Sequence, residues 1–336
     1  MDRIIKTGVL SFGMSGSLFH CPFLKIHPGF ELTAIVERSV KKAIMTYPKI
    51  ISYDNVDDLL AQADIELVVV NTPSSTHFEF AMKALKAKKH VLVEKPFTVK
   101  ASHAKALYEE ASKQNRCIMP FQNRRYDSDF LSVKHMVESG RLGQLIEVHF
   151  RYDRYRYNIS DNITKESNVP GNGVLYNLGP HLVDAALALF GEPIEWTKFT
   201  GKNRPNTEVD DYAYVQLTYK NGLHVFLTTS LLVANIPPAF VLHGSKGSYT
   251  KHRCDTQERQ LQSGLSPNDP NFGLEQPNQE GVLVTIDNEV SKTEKIKSVQ
   301  GSYLKVFDAV YDTLIFEQPF PVTELQVVKQ IEILES

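Results

Sequence analysis

The sequence is poor in the residues that mark several protein classes. It has three cysteines, Cys21, Cys117 and Cys254, odd in number and far apart. That argues against a disulfide scaffold and fits a reducing, cytoplasmic setting. None has a cysteine or histidine neighbour at zinc spacing, so no metal site is expected. Charge of one sign is equally scarce: 37 basic residues face 39 acidic ones, with no basic stripe or acidic tail. Nucleic acid and membrane are therefore not the expected partners. No uninterrupted apolar run reaches the roughly 18 residues that cross a bilayer. Arg3 and Lys6 precede "TGVLSFGMSGSLFHC", a faint outline of an export signal. Gly and Ser interrupt its apolar run, and His20 is not the small residue a cleavage site needs.

What is present points to two domains. The 336 residues exceed the roughly 250–300 at which a single core stops growing. Short apolar runs alternate with amphipathic ones up to residue 122: strands at 3–12, 30–37, 65–73, 90–96 and in "RCIMPFQ", helices in "SLFHCPFLKIH", "SVKKAIMTYP", "NVDDLLAQA" with Asn55 as N-cap, "THFEFAMKALKAKK" and "KASHAKALYEEASKQN". Repeated strand–helix units predict an α/β fold with a doubly wound parallel sheet over 1–122. From 123 to 336 the rhythm changes. A helix over 128–143 closed by Gly140 precedes a long strand at 144–156, and several strands then follow without intervening helices. One pair flanks "YKNGLH", a strong hairpin signal. This predicts an α+β domain with a large, mostly antiparallel sheet and two terminal helices.

The first strand–helix junction reads Ser11-Phe12-Gly13-Met14-Ser15-Gly16. Set against the dinucleotide fingerprint G-x-G-x-x-G, it keeps the second and third glycines and lacks the first. Glu37, 21 residues after Gly16, ends the second strand and could accept bonds from an adenosine ribose, favouring NAD. Arg38 could instead face a 2′-phosphate, favouring NADP, so the pair leaves NAD and NADP both open. Asn71, Thr72, Pro73 and His77 follow a buried strand, where ligands of such sheets bind. In "VEKPF" a strand ends on Lys95, whose ammonium could stabilise an alkoxide as hydride moves. Farther on, Asn177, His181 and Asp184 share one face of an apolar helix. Taken alone, that helix is a core element with Asn177 as its N-cap, Pro180 in its first turn and two satisfied polar groups.

Together the motifs "NTPSSTH", "HVLVEKPF", "FQNRRYDSDF", "GVLYNLGPHLVDAALALFG" and "PFPVT" resemble the Gfo/Idh/MocA family of NAD(P)-dependent oxidoreductases, over nearly the whole chain. "GMSGSLFHCPFL" and "RYDRYR" resemble its scyllo-inositol dehydrogenase branch. The resemblance implies a Rossmann domain, a second domain whose open sheet joins subunits into a homodimer or homotetramer, and NAD or NADP as cofactor, with Glu94, Lys95 and Pro96 in the cofactor motif. It further implies that Lys95 is the catalytic lysine before a cis-proline, and that His181 is the acid/base residue near the substrate hydroxyl. The expected reaction is hydride transfer to or from a secondary hydroxyl of a sugar or cyclitol. Other expectations are reduction of another carbonyl or C=N group by NADPH, and a dinucleotide-binding regulator with little catalysis. Asn177 departs from the family pattern, which has Asp there. Asn123, Arg124, Tyr152 and Arg154 suit a hydroxyl-rich or carboxylated substrate, and equally a subunit contact.

Overall fold

The structure, a computed structural model, describes residues 3–161 and 166–335. The chain forms two compact units. The first contains residues 3–123, 257–272 and 302–328; the second contains 124–161, 166–256, 273–301 and 329–335.

The first unit is built on a six-stranded parallel sheet in the order β3-β2-β1-β4-β5-β6. Its strands are β1 (Ile5–Val9), β2 (Phe30–Val36), β3 (Ile51–Tyr53), β4 (Leu67–Val70), β5 (His90–Val93) and β6 (Ile118–Pro120). The order reverses beside β1, so the carboxyl ends of β1 and β4 flank the crevice where such sheets take ligands. β4 is buried at all four positions, as expected of a central parallel strand covered on both faces. Asn55 caps the helix Val56–Leu60 by accepting the Asp58 N–H at 2.9 Å.

Three elements depart from the sequence reading. The helix expected over "SVKKAIMTYP" shrinks to Ala43–Thr46, because the Glu37 carboxylate takes the N–H groups of Lys42 and Ala43 and holds the preceding residues in a loop. β3 went unread, being three residues long at the sheet edge. The helix after the glycine turn begins as one wide turn, Gly16–His20, with the Cys21 N–H bonded to the Gly16 carbonyl, and becomes regular at Cys21–Ile26.

The second unit carries an eight-stranded sheet in the order β14-β13-β12-β11-β7-β10-β9-β8. These strands are β7 (Leu145–Arg151), β8 (Glu195–Gly201), β9 (Tyr212–Thr218), β10 (His224–Ser230), β11 (Phe240–Gly244), β12 (Gly247–Lys251), β13 (Gly281–Asp287) and β14 (Val290–Ile296). All neighbours are antiparallel except β7 and β10. The inward residues of β7, β9 and β10, among them Val148, Phe150, Val215 and Leu227, pack with the apolar face of the helix Gly173–Phe190. That helix is long and apolar enough to cross a membrane, yet 67% of it is buried in this core.

A division into continuous domains 1–122 and 123–336 needs correction. Residues 257–272 and 302–328 return to the first unit. Aromatic packing draws them there: Phe23 stacks on Phe307 with ring centres 5.4 Å apart and meets Phe272 and Tyr303 edge-on or tilted.

Candidate active site

In the first unit, the ends of β1, β2 and β4 enclose a cavity of about 590 Å³. Ser11, Phe12, Glu37, Arg38, Thr72 and Pro73, all expected at the nucleotide, line it. Ser39, Lys42 and Lys83 line it too and were not foreseen. Phe12 meets Tyr47 edge-on at 6.0 Å.

The glycine turn lies beside this cavity, with Met14 exposed. Asn71, at the end of β4, pins the turn by donating Nδ2 to the Ser11 carbonyl at 2.8 Å and to Ser15 Oγ at 3.3 Å. Gly16 is required by close approach: a Cβ there would lie 2.0 Å from the Ser11 carbonyl oxygen. The absent first glycine also has an explanation. Ser11 does not need the left-handed conformation, and its hydroxyl accepts the Gly13 N–H at 3.3 Å.

These residues fit a dinucleotide. A Cβ on Gly13 would meet only Ser11 Oγ, at 3.6 Å, so the backbone there is open to a phosphate. Asn71 Oδ1 is buried with no partner among the described residues, leaving an acceptor beside the turn.

Lys95 is half-buried at the end of β5, and the Lys95–Pro96 bond is cis. Two buried groups fix its surroundings. Glu94 accepts from its neighbour's backbone, the Lys95 N–H at 3.0 Å, and pairs with His20 Nε2 at 2.9 Å. Burial disfavours the Glu94 charge, but the His20 bond and the charges of His20 and Lys95 outweigh it and hold the carboxyl below its usual range. His77 sets Nδ1 at 2.8 Å from the Pro96 carbonyl and Nε2 at 2.8 Å from that of Thr72. Burial pushes its imidazole pKa down. His77 thus ties the loop after β4 to the loop after β5. His20 falls within "GMSGSLFHCPFL", but nothing in that stretch gives it a role; only the fold brings it to Glu94.

The second unit holds His181, buried, and Asn177, exposed, on the helix Gly173–Phe190. This helix begins earlier than expected. Its N-cap is Asn172, Asn177 lies in the second turn, and Pro180 is internal. Asp210 takes over the helix start, its carbonyl accepting from Val174 at 2.9 Å and its carboxylate from Leu175 at 2.7 Å. A side chain on Gly173, at φ +88°, would collide with that carboxylate. Asp184, one turn beyond His181, is held by Arg125 through two bonds of 2.8 Å.

Tyr152 is buried 6.3 Å from the His181 ring centre to centre. Three guanidinium groups surround its ring: Arg253 at 4.1 Å, Arg154 at 5.2 Å and Arg124 at 5.3 Å. Its hydroxyl donates to the Asp255 carboxylate at 3.2 Å, and Arg124 pairs with both Asp255 and Asp127. Burial raises the Asp255 carboxyl, but the three arginines overcome this and leave it below the usual range. Thus Arg124, Tyr152, Arg154 and His181 come together in this unit. Arg253 and Asp255 complete the cluster from a distant loop that no motif marked. Asn123 is buried at the head of the turn Asn123–Tyr126 and ends the first of the three segments that make up the first unit.

Comparison with known proteins decides the family. Residues 5–122 match the oxidoreductase family with an NAD-binding Rossmann fold, and residues 130–250 match the GFO/IDH/MocA C-terminal domain. The chain belongs to the Gfo/Idh/MocA family. This member is 40% identical to the uncharacterized oxidoreductase C115.03 of Schizosaccharomyces pombe, over 99% of the chain and 96% of that protein. It is 32% identical to scyllo-inositol 2-dehydrogenase (NADP(+)) IolW of Bacillus subtilis, over 99% and 92%. The solved structure of yvaA from Bacillus subtilis superposes with a TM-score of 0.95 at 32% identity, covering 99% of this chain and 95% of that one. As a family member the protein is an NAD(P)-binding oxidoreductase.

Proposed function

We propose that the protein moves hydride between a nicotinamide and the carbinol carbon of a secondary hydroxyl in a sugar or cyclitol, or reduces the corresponding ketone. The observation that carries this reading is Lys95 at the end of β5, its flanking residues locked by Glu94–His20 and by His77. Its ammonium orients the substrate oxygen and stabilises negative charge on it. His181 takes the hydroxyl proton in oxidation and returns it in reduction. A bound nicotinamide accepts or supplies the hydride. Asn123, Arg124, Tyr152 and Arg154 hold the substrate's other hydroxyls. The scyllo-inositol 2-dehydrogenase relative supports a cyclitol.

The test is nicotinamide absorbance with a panel of polyols and both cofactors. Lys95→Ala is expected to lower kcat by about 10²–10³-fold, the size of effect seen when a charge-stabilising donor is lost. Near-normal turnover of that variant overturns the assignment. Asn177 favours a second reading, a dinucleotide-binding regulator with little turnover. Silence across the panel, and across a matching panel of ketones and imines with reduced cofactor, with nucleotide binding intact, selects it.

We further propose that the protein works in the cytosol, where its three free thiols stay reduced, and as a homodimer or homotetramer joined through the large sheet. A row of rings supports the latter: His149, Phe226, Tyr214 and Phe199 follow one another across β7, β10, β9 and β8, on the face opposite the core.

A further inference from the structure

The parallel sheet of the first unit has another cavity at its opposite edge. The nucleotide cavity lies at the carboxyl ends of the strands. This one, of about 430 Å³, lies where β1, β4, β5 and β6 begin, four consecutive neighbours in the sheet. Arg3 precedes β1, Glu66 precedes β4, Lys88 and Lys89 precede β5, and Arg116 precedes β6. With His90, the first residue of β5, all of these line the cavity. Residues far apart in sequence thus share one space because their strands start side by side.

Charge there is one-sided. Two arginines and two lysines meet a single lining carboxylate, Glu66, which pairs with Arg3. Asp64, whose charge also bears on Lys89, is matched by Lys6 at 3.0 Å. Lys88, Lys89 and Arg116 have no ion pair among the described residues. Neutral groups hold two of them instead. Arg116 donates Nε to the Lys88 carbonyl at 2.6 Å and Nη1 to the Asn115 carbonyl at 2.8 Å, and Nη2 takes no part in these bonds. Lys89 donates Nζ to the Gln62 carbonyl at 2.5 Å. Such bonds fix a cation in place and leave its charge uncompensated. Lys89 is buried, and burial pulls its pKa down, the mark of a charge short of a partner. His90 accepts the Cys117 N–H on Nδ1 at 3.0 Å, so its ring is neutral and carries its proton on Nε2. Lys88 brings its charge at a backbone cost. It stands at φ +60° just past the helix His77–Lys86, with its N–H on the Leu85 carbonyl at 2.8 Å and the Lys89 N–H on that of Ala84 at 3.0 Å. Glycine or asparagine is usual at that left-handed position.

We infer that this cavity binds a small organic anion of two or more charges, a phosphomonoester or a polycarboxylate, at a site separate from the nucleotide cavity. Arg116 supplies the main contact through its guanidinium, Lys88 and Lys89 add point charges, and the His90 Nε2–H is a further donor. Lys95 lies beyond the far end of β5, so the anion is held apart from the hydride transfer.

The experiment is titration calorimetry on the intact protein with sodium phosphate and with sodium citrate, at an ionic strength held constant with chloride. At least one of them is expected to bind saturably at one site per chain, and the tighter of the two names the class. Arg116→Gln should weaken that anion about tenfold, the size of effect of one charge-assisted bond. Lys88→Gly should weaken it about fourfold and leave the melting temperature unchanged or raised, because glycine suits that φ. This second variant keeps the test open should Arg116→Gln fold poorly. Both variants should bind NAD or NADP within about twofold of the parent, since neither residue lines the nucleotide cavity. Failure of both anions to saturate overturns the inference, as do variants that bind the anion as tightly as the parent. Variants that weaken the dinucleotide as much as the anion overturn it too, because the anion then shares the nucleotide cavity.

Discussion

Asn177 stands four residues before His181, one helical turn away and on the same face. An amide can orient an imidazole but brings no charge to stabilise its cation. Asn177→Asp is therefore expected to raise kcat by about tenfold and to move the acid limb of the pH–rate profile to higher pH. Unchanged rate and profile would show that this site does not use a carboxylate relay. A second residue-scale test concerns stability. Lys251 is fully buried, with Nζ at 2.5 Å from Glu275, at 3.0 Å from Ser298 Oγ and bonded to the Gln279 carbonyl. Lys251→Met removes the charged partner and leaves the buried Glu275 carboxylate with the Ser298 hydroxyl at 2.6 Å but no cation, so urea denaturation should show a loss of about 3–5 kcal/mol. At this scale the sequence was legible where chemistry and chain position coincide. Ser11, Glu37, Thr72 and Lys95 each lie at a strand end, and an apolar run followed by a polar residue announces that place. His20, Arg253 and Asp255 could not be found this way, since their partners lie far off in sequence and only tertiary contact gives them a role.

Among the elements, β5 carries a titrating group with a clear sign. His90 accepts the Cys117 N–H on Nδ1 at 3.0 Å, which requires the neutral ring. Burial, then the charges of Arg116 and Arg3, lower its pKa from 6.5 to about 4. Above the ordinary value both folded and unfolded rings are neutral, and pH has no effect through this group. Between it and about 4 the unfolded chain binds a proton that the folded one refuses, so stability falls as pH falls. His90→Gln should flatten that part of the stability curve in melts taken from pH 7 to pH 4; an identical slope would deny His90 its part. The apolar runs of β4 and β5 were readable because burial on both faces calls for Leu and Val at every position of β4 and at all of β5 but His90. The short helix Ala43–Thr46 was overcalled because its residues have helical spacing, and nothing in the spacing tells that Glu37 captures the N–H groups that would open a longer helix. The helix Gly173–Phe190 was read in place but from the wrong start, since its cap is supplied by Asp210 from a distant loop.

For the whole molecule, assembly through the large sheet can be tested at one position. Phe199 is 63% exposed at the end of the ring row on β8. Phe199→Asp is expected to halve the mass measured by light scattering while leaving the melting of each unit in place, because the side chain lies outside the core. An unchanged mass would move the interface elsewhere.

The aromatic packing of Phe23 against Phe272, Tyr303 and Phe307 has a consequence for synthesis. The first unit gathers its last segment only at residue 328, near the end of the chain. Ribosomes add about 5–20 residues per second, so the apolar surface around Phe23 waits tens of seconds uncovered. In that interval the nascent first unit is a client for chaperones rather than a finished domain. A chain cut after residue 123 should stay in that state, soluble only with a chaperone bound, however complete its nucleotide motif.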